Sequence, residues 1–341
     1  MSERTPQEEQ LTEAERENIV LMSGISHPQL AEEVADELGM PLYPLNTAIH
    51  PNGDLYNQID DNVRGHNVYI IQSHVAIPGF SISQSNRQHL EFISGAKKAG
   101  AARIFAIAPT YEGARQDRRA EAREAVGSAI TLRGFATEGA DELILVDPHS
   151  QQALEVFTGV TTPITARYEL QKPVLDRLDH HLENCIVVGG DEGSAKLVRD
   201  WGNDLGIKFK VYPKVKNGKR IIHPDVSSKD VRGKTVIYAD DMIDTAATLA
   251  SLSRRVTQAG AKRQIAAATH LWLSGRAVSR LERSDIEAFV GTNTIPIKPA
   301  AEERLEGRLE VPSVAWILAD TIRRIIRNES VSQQPYGKVY S

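Results

Sequence analysis

The sequence has little cysteine, little net charge and no long apolar run, and each shortage excludes a class of protein. A single cysteine, Cys185 in 341 residues, leaves no disulfide framework and favours a reducing, cytoplasmic setting. No apolar run approaches the ~20 residues that span a membrane, so no membrane partner is expected. A net charge of −5 argues against a surface that coats nucleic acid. No Gly-x4-Gly-Lys-Ser/Thr stretch occurs, which excludes the common phosphate-binding loop of nucleotide enzymes.

Short apolar runs alternate with longer amphipathic segments along most of the chain. The predicted strands are residues 19–23, 68–73, 103–109, 142–147, 185–190, 208–212, 235–240, 264–270 and 286–291. Near-continuous apolar strands that alternate with helices are typical of parallel sheets covered on both faces. The length and the number of strands predict an α/β protein with two such sheets in tandem, because one core seldom serves so long a chain.

Three segments are predicted from this pattern. We expect a poorly ordered, charged N-terminal extension at residues 1–17, an N-terminal α/β domain over 18–160 and a C-terminal α/β domain over 161–312. The apolar periodicity of residues 313–329 predicts a final helix that packs back on the N-terminal domain. Ligands of open α/β sheets gather beyond the carboxyl ends of the strands, so the residues just after each apolar run are the candidates for a site.

The segment IYADDMIDTAATLAS combines clustered carboxylates with small residues that can start a helix. Asp240 and Asp241 are expected at the end of a strand, and Asp244 is expected to cap a helix that begins at Thr245. Backbone amides of residues 245–248 would cradle a phosphate, and the acid pair suits the hydroxyls of a sugar or a cation-bound water. The segment therefore predicts a sugar-phosphate site. By itself it also leaves open a charged turn before a capped helix.

This arrangement resembles the phosphoribosyl diphosphate (PRPP) binding loop of type I phosphoribosyltransferases and of ribose-phosphate diphosphokinases, also called PRPP synthases. Further segments resemble the diphosphokinase family and occur in its order: NVRGHNVYIIQS, ARQDRR, DPHSQQALEVF, THLWLSG and NTIPI. The resemblance covers about residues 19–328. It implies two tandem phosphoribosyltransferase-like domains, each a mostly parallel sheet flanked by helices. A phosphoribosyltransferase would need neither ARQDRR nor a second sheet.

The resemblance also implies an activity, in which Mg-ATP gives its β,γ-diphosphate to the anomeric hydroxyl of ribose 5-phosphate and yields PRPP and AMP. It implies Mg²⁺ ligands at His149 and Asp191 and catalytic lysines at Lys214 and Lys216. The implied ATP-binding residues are His50, Asn52, Asp54, Arg115, Gln116 and Asp117. The implied ribose 5-phosphate residues are Asp240, Asp241, Asp244, Thr245, Ala246, Ala247 and Thr248. Members of the family assemble from dimers, often into hexamers, so a homo-oligomer is implied.

Four departures from the family pattern matter. Lys216 stands in place of an arginine, Ala247 in place of a glycine of the phosphate cradle, and Ser194 in place of a glycine of the metal loop. Residues 50–54, HPNGD, replace the Phe-x-Asp-Gly-Glu run of the adenine pocket. Two alternatives stay open: a larger acceptor that contains ribose 5-phosphate, such as ADP-ribose, and a catalytically weak paralogue that regulates an active partner. The segment at 213–233, which carries both lysines, is predicted to be a mobile loop rather than a core element.

Overall fold

The computed structural model describes residues 10–217, 220–222 and 225–333. They fall into two compact units, an N-terminal unit of residues 10–165 and 314–333 and a C-terminal unit of residues 166–313. The sequence predicts a boundary after residue 160 instead. The boundary lies later because residues 160–164 form a strand that pairs along its whole length with its neighbour in the first unit.

The N-terminal unit is built on a five-stranded sheet in which every neighbouring pair is parallel. In chain order its elements begin with α1 (Glu13–Glu17), β1 (Ile19–Ser23), α2 (Pro28–Leu38), β2 (Leu45–Ile49), β3 (Leu55–Ile59), β4 (Asn67–Ile71), α3 (Ile82–Ala99), β5 (Arg103–Ala108), α4 (Gly127–Glu138), β6 (Glu142–Val146), a 3₁₀ helix (Gln152–Val156) and β7 (Val160–Ile164). The order of strands in the sheet is β1-β4-β5-β6-β7. Strands β2 and β3 form a separate antiparallel hairpin, which the sequence analysis does not predict.

One face of this sheet packs against α3 and α4. Side chains alternate between the two faces of a strand, so Val68 and Ile70 of β4 point to the same face. There they form one apolar cluster with Phe92 of α3 and Phe135 of α4, and all four side chains are buried. Burial of apolar area at about 25 cal/mol per Å² is the main force that holds these helices on the sheet. The carboxyl ends of the strands are thereby fixed at a common edge.

A short capped helix, α1, replaces part of the poorly ordered extension that the sequence predicts over residues 1–17. Thr12 accepts a hydrogen bond from the N–H of Glu15, and the Glu15 carboxylate accepts one from the N–H of Thr12 at 2.7 Å, which is a capping box. Arg327 also pairs with Glu15 at 2.8 Å and lowers the pKa of Glu15 to about 2. Residues 1–9 of the predicted extension lie outside the described residues.

Two buried histidines of the N-terminal unit, His74 and His89, form a neutral pair. His74 Nε2 lies 3.2 Å from His89 Nδ1, and the N–H of Glu112 donates to His74 Nδ1 at 3.1 Å. His74 therefore carries its proton on Nε2 and donates it to His89. Burial lowers the pKa of His89 to about 3 and, with the neighbouring ring, lowers the pKa of His74 well below its ordinary value.

This pair predicts acid sensitivity. The free energy of unfolding should fall as the pH drops below about 6.5, because the unfolded histidines bind protons that the buried pair excludes. His89→Gln keeps an acceptor for His74 but removes one of the two buried rings. In urea unfolding between about pH 5 and pH 6, the free energy of unfolding of this variant should change less steeply with pH than that of the wild type, by about 1.4 kcal/mol per pH unit. His181→Gln, at an exposed histidine, is the control. An unchanged pH dependence of the free energy of unfolding in His89→Gln would contradict the neutral state of the buried pair.

The C-terminal unit is built on a six-stranded, fully parallel sheet with the order β15-β14-β13-β12-β8-β9. In chain order its elements are α5 (Arg167–Asp176), β8 (Cys185–Gly189), α6 (Ala195–Leu205), β9 (Lys208–Val211), β10 (Val215–Asn217), β11 (Arg220–Ile222), α7 (Ser228–Val231), β12 (Thr235–Ile243), α8 (Ala247–Gln258), β13 (Arg263–Leu271), α9 (Ala277–Glu282), β14 (Ala288–Thr292), α10 (Pro299–Arg304) and β15 (Leu309–Glu310). The segment predicted as a mobile loop, 213–233, thus contains the antiparallel hairpin β10–β11 and the helix α7.

Both faces of the C-terminal sheet are covered. Val236 and Tyr238 of β12 pack in one apolar cluster with α8 and α9, whereas Ile237 and Ala239 pack in another with α5 and α6. This alternation along one strand is the arrangement expected of a parallel sheet buried between two helical layers. The two helical layers fix the position of β12 and of the start of the turn that follows it.

The last α-helix within the described residues belongs to the N-terminal unit. Helix α11 (Ala315–Ile326) packs against α2, and Arg323 Nη2 donates to the carbonyl oxygen of Glu37 at 2.6 Å. Ile317, Leu318 and Ile322 of α11 are fully buried. Among the helices within the described residues, none combines the length and apolarity that crossing a membrane requires.

Candidate functional site

The candidate site of the C-terminal unit lies where β12 extends beyond its neighbour β8. Strand β8 pairs with β12 only as far as Tyr238, whereas β12 continues to Ile243. Asp240 and Asp241 therefore lie within the strand, not at its end as the sequence predicts, because β13 continues to pair with this part of β12. The edge of β12 that β8 leaves open faces the turn after β8. The two carboxylates thus lie at the carboxyl edge of the sheet, where ligands of this architecture bind.

The turn between β12 and α8 differs from the predicted one. Helix α8 begins at Ala247 rather than Thr245, and its N-cap residue is Ala246, with no side-chain cap hydrogen bond. The prediction that Asp244 caps the helix is therefore wrong. Ala246 has φ 56° and ψ 14°, the left-handed conformation, which costs a residue with a Cβ atom about 1–2 kcal/mol. A strained turn of this kind persists only where the surrounding contacts hold it.

The carbonyl oxygens of the turn supply these contacts. Four consecutive residues, 243–246, accept hydrogen bonds on their carbonyl oxygens at 2.6–3.2 Å. The donors are the N–H groups of Leu273, Ser274 and Ala250 and the guanidinium of Arg280. The first amides of α8 have no acceptor within the helix, so the turn offers N–H donors and the positive helix end to an anion. Arg280 is not predicted from the sequence, where it reads as one of several charges on a surface segment.

Glycine substitutions test the strain in this turn. Ala246→Gly should raise the free energy of unfolding by about 0.5–1 kcal/mol, because glycine adopts the left-handed conformation without strain. Ala247→Gly is the matched control, since Ala247 is the first residue of α8, and glycine there should lower the free energy of unfolding by about 0.5–1 kcal/mol. Urea denaturation measures both variants. Equal effects of the two substitutions would contradict the strained geometry.

Asp240 and Asp241 bring like charges together beside the turn. The N–H of Asp241 donates to Asp240 Oδ1 at 3.0 Å. Burial, together with the carboxylates of Asp241 and Asp191, raises the pKa of Asp240 well above its ordinary range. A cation or a hydroxyl donor that binds there would relieve this repulsion and favour the ionised form. The pair is therefore suited to sugar hydroxyls or to a metal-bound water.

Asp191 lies in the turn after β8 and is paired with Lys214. Lys214 Nζ is 3.0 Å from Asp191 Oδ2, and the two side chains are 30% and 32% exposed, so solvent and ligands can reach both. The N–H of Ser194 donates to Asp191 Oδ1 at 3.1 Å, and the Ser194 hydroxyl donates to the Asp191 carbonyl oxygen at 2.9 Å. The backbone N–H of Ser194 thus holds the Asp191 carboxylate, and its hydroxyl, the departure from the family pattern, bonds to the backbone of the same turn. Lys216 lies in β10, and its side chain is outside what the structure describes.

The N-terminal unit presents the hairpin β2–β3, whose tip carries three of the predicted ATP-binding residues. His50, Asn52 and Asp54 are all exposed. Asn52 Nδ2 donates to Asp54 Oδ2 at 2.6 Å, and the N–H of His50 donates to the Asp54 carbonyl oxygen at 2.8 Å. These bonds fix the shape of the tip. Tyr56, with an exposed side chain, lies edge-on to the His50 ring at 6.1 Å between ring centroids.

The other candidates of the N-terminal unit follow neighbouring strands. Arg115 ends a turn after β5, with Gln116 and Asp117 directly behind it, and Arg115 and Gln116 are exposed. His149, also exposed, lies three residues beyond the end of β6. Because β5 and β6 are parallel neighbours, these residues lie at the same carboxyl edge of the N-terminal sheet.

The donor set of the C-terminal unit suits a hard cation. Across the described parts of the chain, no group of three or more His, Cys, Asp or Glu side chains is arranged to hold a metal. A structural zinc site would need such a group, whereas Mg²⁺ is usually bound by one or two carboxylates together with waters and phosphate oxygens. Asp191 and the neighbouring acid pair are oxygen donors of that kind. The residues therefore fit magnesium.

Two family models match the chain. The first, described as the N-terminal domain of ribose phosphate pyrophosphokinase, matches residues 19–139. The second, described as a phosphoribosyl synthetase-associated domain, matches residues 183–334. Together the two matches cover most of the chain and follow each other in the order that the sequence analysis predicts.

Individual proteins agree with the models. A ribose-phosphate pyrophosphokinase of Bifidobacterium longum is 34% identical, covering 93% of this chain and 92% of the relative. Another, of Corynebacterium glutamicum, is 32% identical over 93% of this chain and 95% of the relative. The solved structure of phosphoribosylpyrophosphate synthetase from Mycobacterium smegmatis is similar with a TM-score of 0.82 and 33% identity, over 91% of this chain and 99% of the other. The predicted fold of two phosphoribosyltransferase-like α/β domains is confirmed, and the chain belongs to the ribose-phosphate pyrophosphokinase family.

Proposed function

We propose that this protein transfers the β,γ-diphosphate of ATP to the anomeric hydroxyl of ribose 5-phosphate, giving PRPP and AMP. Family membership supports this class of reaction. The observation that most strongly supports the assignment of residues is the arrangement at one edge of the C-terminal sheet. There the anion-binding turn 244–248 follows β12, the acid pair lies within β12, and Asp191 lies in the turn after the neighbouring strand β8, where it pairs with Lys214.

Ribose 5-phosphate binds through its two ends. The first amides of α8 and the hydroxyls of Thr245 and Thr248 hold the 5-phosphate, with help from the positive end of the helix. Asp240 and Asp241 accept hydrogen bonds from the ring hydroxyls. Fixing both ends of the sugar orients the anomeric hydroxyl, and such orientation accounts for a large part of the rate in reactions between two bound substrates.

The reaction is an in-line displacement at the β-phosphorus of ATP. The anomeric oxygen forms a bond to this phosphorus, and the bond to the oxygen that bridges to the α-phosphorus breaks. AMP leaves with the bonding electron pair, and the proton of the hydroxyl passes to solvent. The ammonium group of Lys214 stabilises the negative charge that spreads over the phosphoryl oxygens, and Lys216 adds a second positive charge.

Magnesium is the proposed cofactor, and when bound it neutralises and orients the polyphosphate. Asp191 is the proposed ligand of the C-terminal unit, and His149 is the proposed ligand of the N-terminal unit. Asp191 and the neighbouring acid pair are oxygen donors of the kind that magnesium prefers. The backbone N–H of Ser194 donates to one oxygen of the Asp191 carboxylate.

The proposed nucleotide-binding groups are those of the N-terminal unit. Arg115 can donate twice to the triphosphate through its planar guanidinium, with Gln116 and Asp117 beside it. The His50 ring offers a surface for stacking against the base. The amide of Asn52 is engaged by Asp54 at 2.6 Å, so a base that bonds to Asn52 has to replace this contact.

A single assay tests the proposal. The pure protein is mixed with Mg-ATP and ribose 5-phosphate, and the nucleotides are separated by chromatography. We expect AMP in the same amount as the ribose 5-phosphate consumed, and no product when EDTA removes the magnesium. ADP as the product, or no turnover, would contradict the proposal. Replacing the sugar with ADP-ribose tests the larger acceptor, which a higher kcat/KM for ADP-ribose would favour.

A further inference from the structure

One carboxylate ties the chain after β5 to helix α3 in the N-terminal unit. Glu112 lies between β5 and the turn that carries Arg115, and its side chain is half-buried. Its two carboxylate oxygens accept hydrogen bonds from two residues of α3, Oε1 from the Ser83 hydroxyl at 2.5 Å and Oε2 from Asn86 Nδ2 at 2.7 Å. Ser83 and Asn86 are one helical turn apart and so lie on the same face of α3. The helix therefore engages both oxygens of Glu112.

The orientation of the Asn86 amide is set by this contact. In the described residues, Asn86 Oδ1 is buried and has no hydrogen-bond partner. Turning the amide over would bring this oxygen against the carboxylate of Glu112, where two acceptors would face each other. Asn86 thus leaves one buried acceptor unpaired and keeps its bond to Glu112.

The backbone of Glu112 is held as well. Its N–H donates to Nδ1 of the buried His74 at 3.1 Å, and the N–H of His74 donates to the carbonyl oxygen of Thr110 at 2.9 Å. These bonds join the chain after β5 to the chain after β4. Glu112 is therefore fixed through both its side chain and its main chain.

A tight turn begins directly after Glu112. Gly113 has φ 79°, in the left-handed region, and a Cβ atom there would lie 2.7 Å from the carbonyl carbon of Gly127. The N–H of Gln116 donates to the carbonyl oxygen of Gly113 at 2.8 Å, and the N–H of Ser128 donates to the carbonyl oxygen of Gln116 at 3.3 Å. The turn is closed on itself and lies against the start of α4, with Glu112 at its entry.

We propose that Glu112 is a positioning residue for the nucleotide, which holds residues 113–117 in the geometry that binds ATP before ATP arrives. This inference rests on the proposed function, which assigns Arg115, Gln116 and Asp117 to ATP binding. A turn that is ordered in advance loses less conformational freedom when the ligand binds, so the affinity is higher. Glu112 acts through the turn and not on the reacting phosphates, so its loss should raise the KM for ATP and leave kcat nearly unchanged.

Three variants of the full-length protein test this role in steady-state kinetics. Glu112→Ala should raise the KM for ATP by about tenfold, with kcat and the KM for ribose 5-phosphate within about twofold of the wild type. Glu112→Gln should stay within about threefold of the wild-type KM for ATP, because the amide oxygen can accept from Asn86 and the amide nitrogen can donate to the Ser83 hydroxyl. Glu121→Ala, at an exposed carboxylate of the same segment, is the control and should match the wild type.

Two further measurements do not depend on turnover. The dissociation constant of ATP, titrated calorimetrically without ribose 5-phosphate, should be about tenfold higher in Glu112→Ala than in the wild type. Without nucleotide, hydrogen exchange in the peptide that contains residues 113–117 should be faster in Glu112→Ala, because the entry of the turn is no longer held. Asn86→Ala should also weaken ATP binding, and its addition to Glu112→Ala should weaken binding little further, since the two side chains form one contact.

Equal affinity for ATP in the wild type and Glu112→Ala would overturn the proposal. An equal loss in Glu112→Ala and Glu112→Gln would overturn it too, because charge and not hydrogen bonding would then be responsible. Arg115→Ala separates these failures from a failure of the proposed function. If Arg115→Ala weakens ATP binding and Glu112→Ala does not, only the positioning role is wrong, whereas if neither does, the assignment of this turn to the nucleotide is wrong as well. The melting temperature of Glu112→Ala should remain close to that of the wild type, which separates loss of folding from loss of positioning.

Discussion

Lys214→Ala is expected to lower kcat for PRPP formation by about a thousandfold, while the dissociation constant of ribose 5-phosphate changes by less than about threefold. The ammonium group acts on charge that develops only in the transition state, so its loss lowers the rate and spares the binding of the sugar. In the structure Lys214 is paired with Asp191 at 3.0 Å and is partly exposed, so its removal should have little effect on stability.

Lys208→Ala is the matched control, because this exposed lysine lies on β9 of the same unit and away from the acid pair. Single-turnover kinetics with Mg-ATP separate the chemical step from product release, and calorimetry with ribose 5-phosphate measures binding. A Lys214→Ala variant with the kcat of the wild type would remove the catalytic assignment. A large loss of sugar affinity with unchanged kcat would place Lys214 in substrate binding instead.

Asp240→Asn is expected to weaken ribose 5-phosphate binding by at least about a hundredfold, because it replaces a carboxylate that accepts hydrogen bonds from the sugar by a neutral amide. The same substitution should raise the free energy of unfolding at neutral pH. Asp240 is partly buried beside Asp241 and Asp191, and a neutral side chain removes the repulsion between these groups. Asparagine still accepts the hydrogen bond from the N–H of Asp241.

The stabilisation by Asp240→Asn should depend on pH in one direction. The pKa of Asp240 is raised in the folded protein. The contribution of this residue to the free energy of unfolding is therefore complete below the ordinary aspartate pKa of about 4 and is lost as the pH rises. The difference in the free energy of unfolding between Asp240→Asn and the wild type should be smallest near about pH 4 and grow towards about pH 8. Urea unfolding at several pH values measures it, with Asp225→Asn, at an exposed aspartate, as the control. A difference that shrinks as the pH rises would contradict the raised pKa.

The strands of both sheets are largely predictable from the sequence, because buried parallel strands are continuous apolar runs. The predicted strand at 19–23 coincides with β1, and the predicted 142–147 matches β6 to within one residue. The hairpin β2–β3 escapes prediction because LNTAI and LYNQI mix polar and apolar residues and lie outside the sheet. β7, VTTPI, is missed for a related reason, since it is an edge strand that contains a proline.

The site is predictable in composition but not in detail. Its acids, lysines and small residues are evident from IYADDMIDTAATLAS and the segments around it. The left-handed Ala246 is not, because alanine disfavours that conformation and only the surrounding hydrogen bonds impose it. Arg280 lies 35 residues from Thr245, and nothing in the sequence indicates that the two meet. Ser194 reads as a departure from the family pattern, and nothing in the sequence indicates that its hydroxyl donates to the carbonyl oxygen of Asp191.

The most direct test is a crystal structure of the protein soaked with ribose 5-phosphate. The sugar phosphate should lie with its phosphate oxygens about 3 Å from the first amides of α8 and with ring hydroxyls on the carboxylates of Asp240 and Asp241. Electron density for the ligand in this position would support the geometry on which the proposed reaction depends. An empty turn at residues 244–248, with the sugar bound elsewhere or not at all, would contradict it.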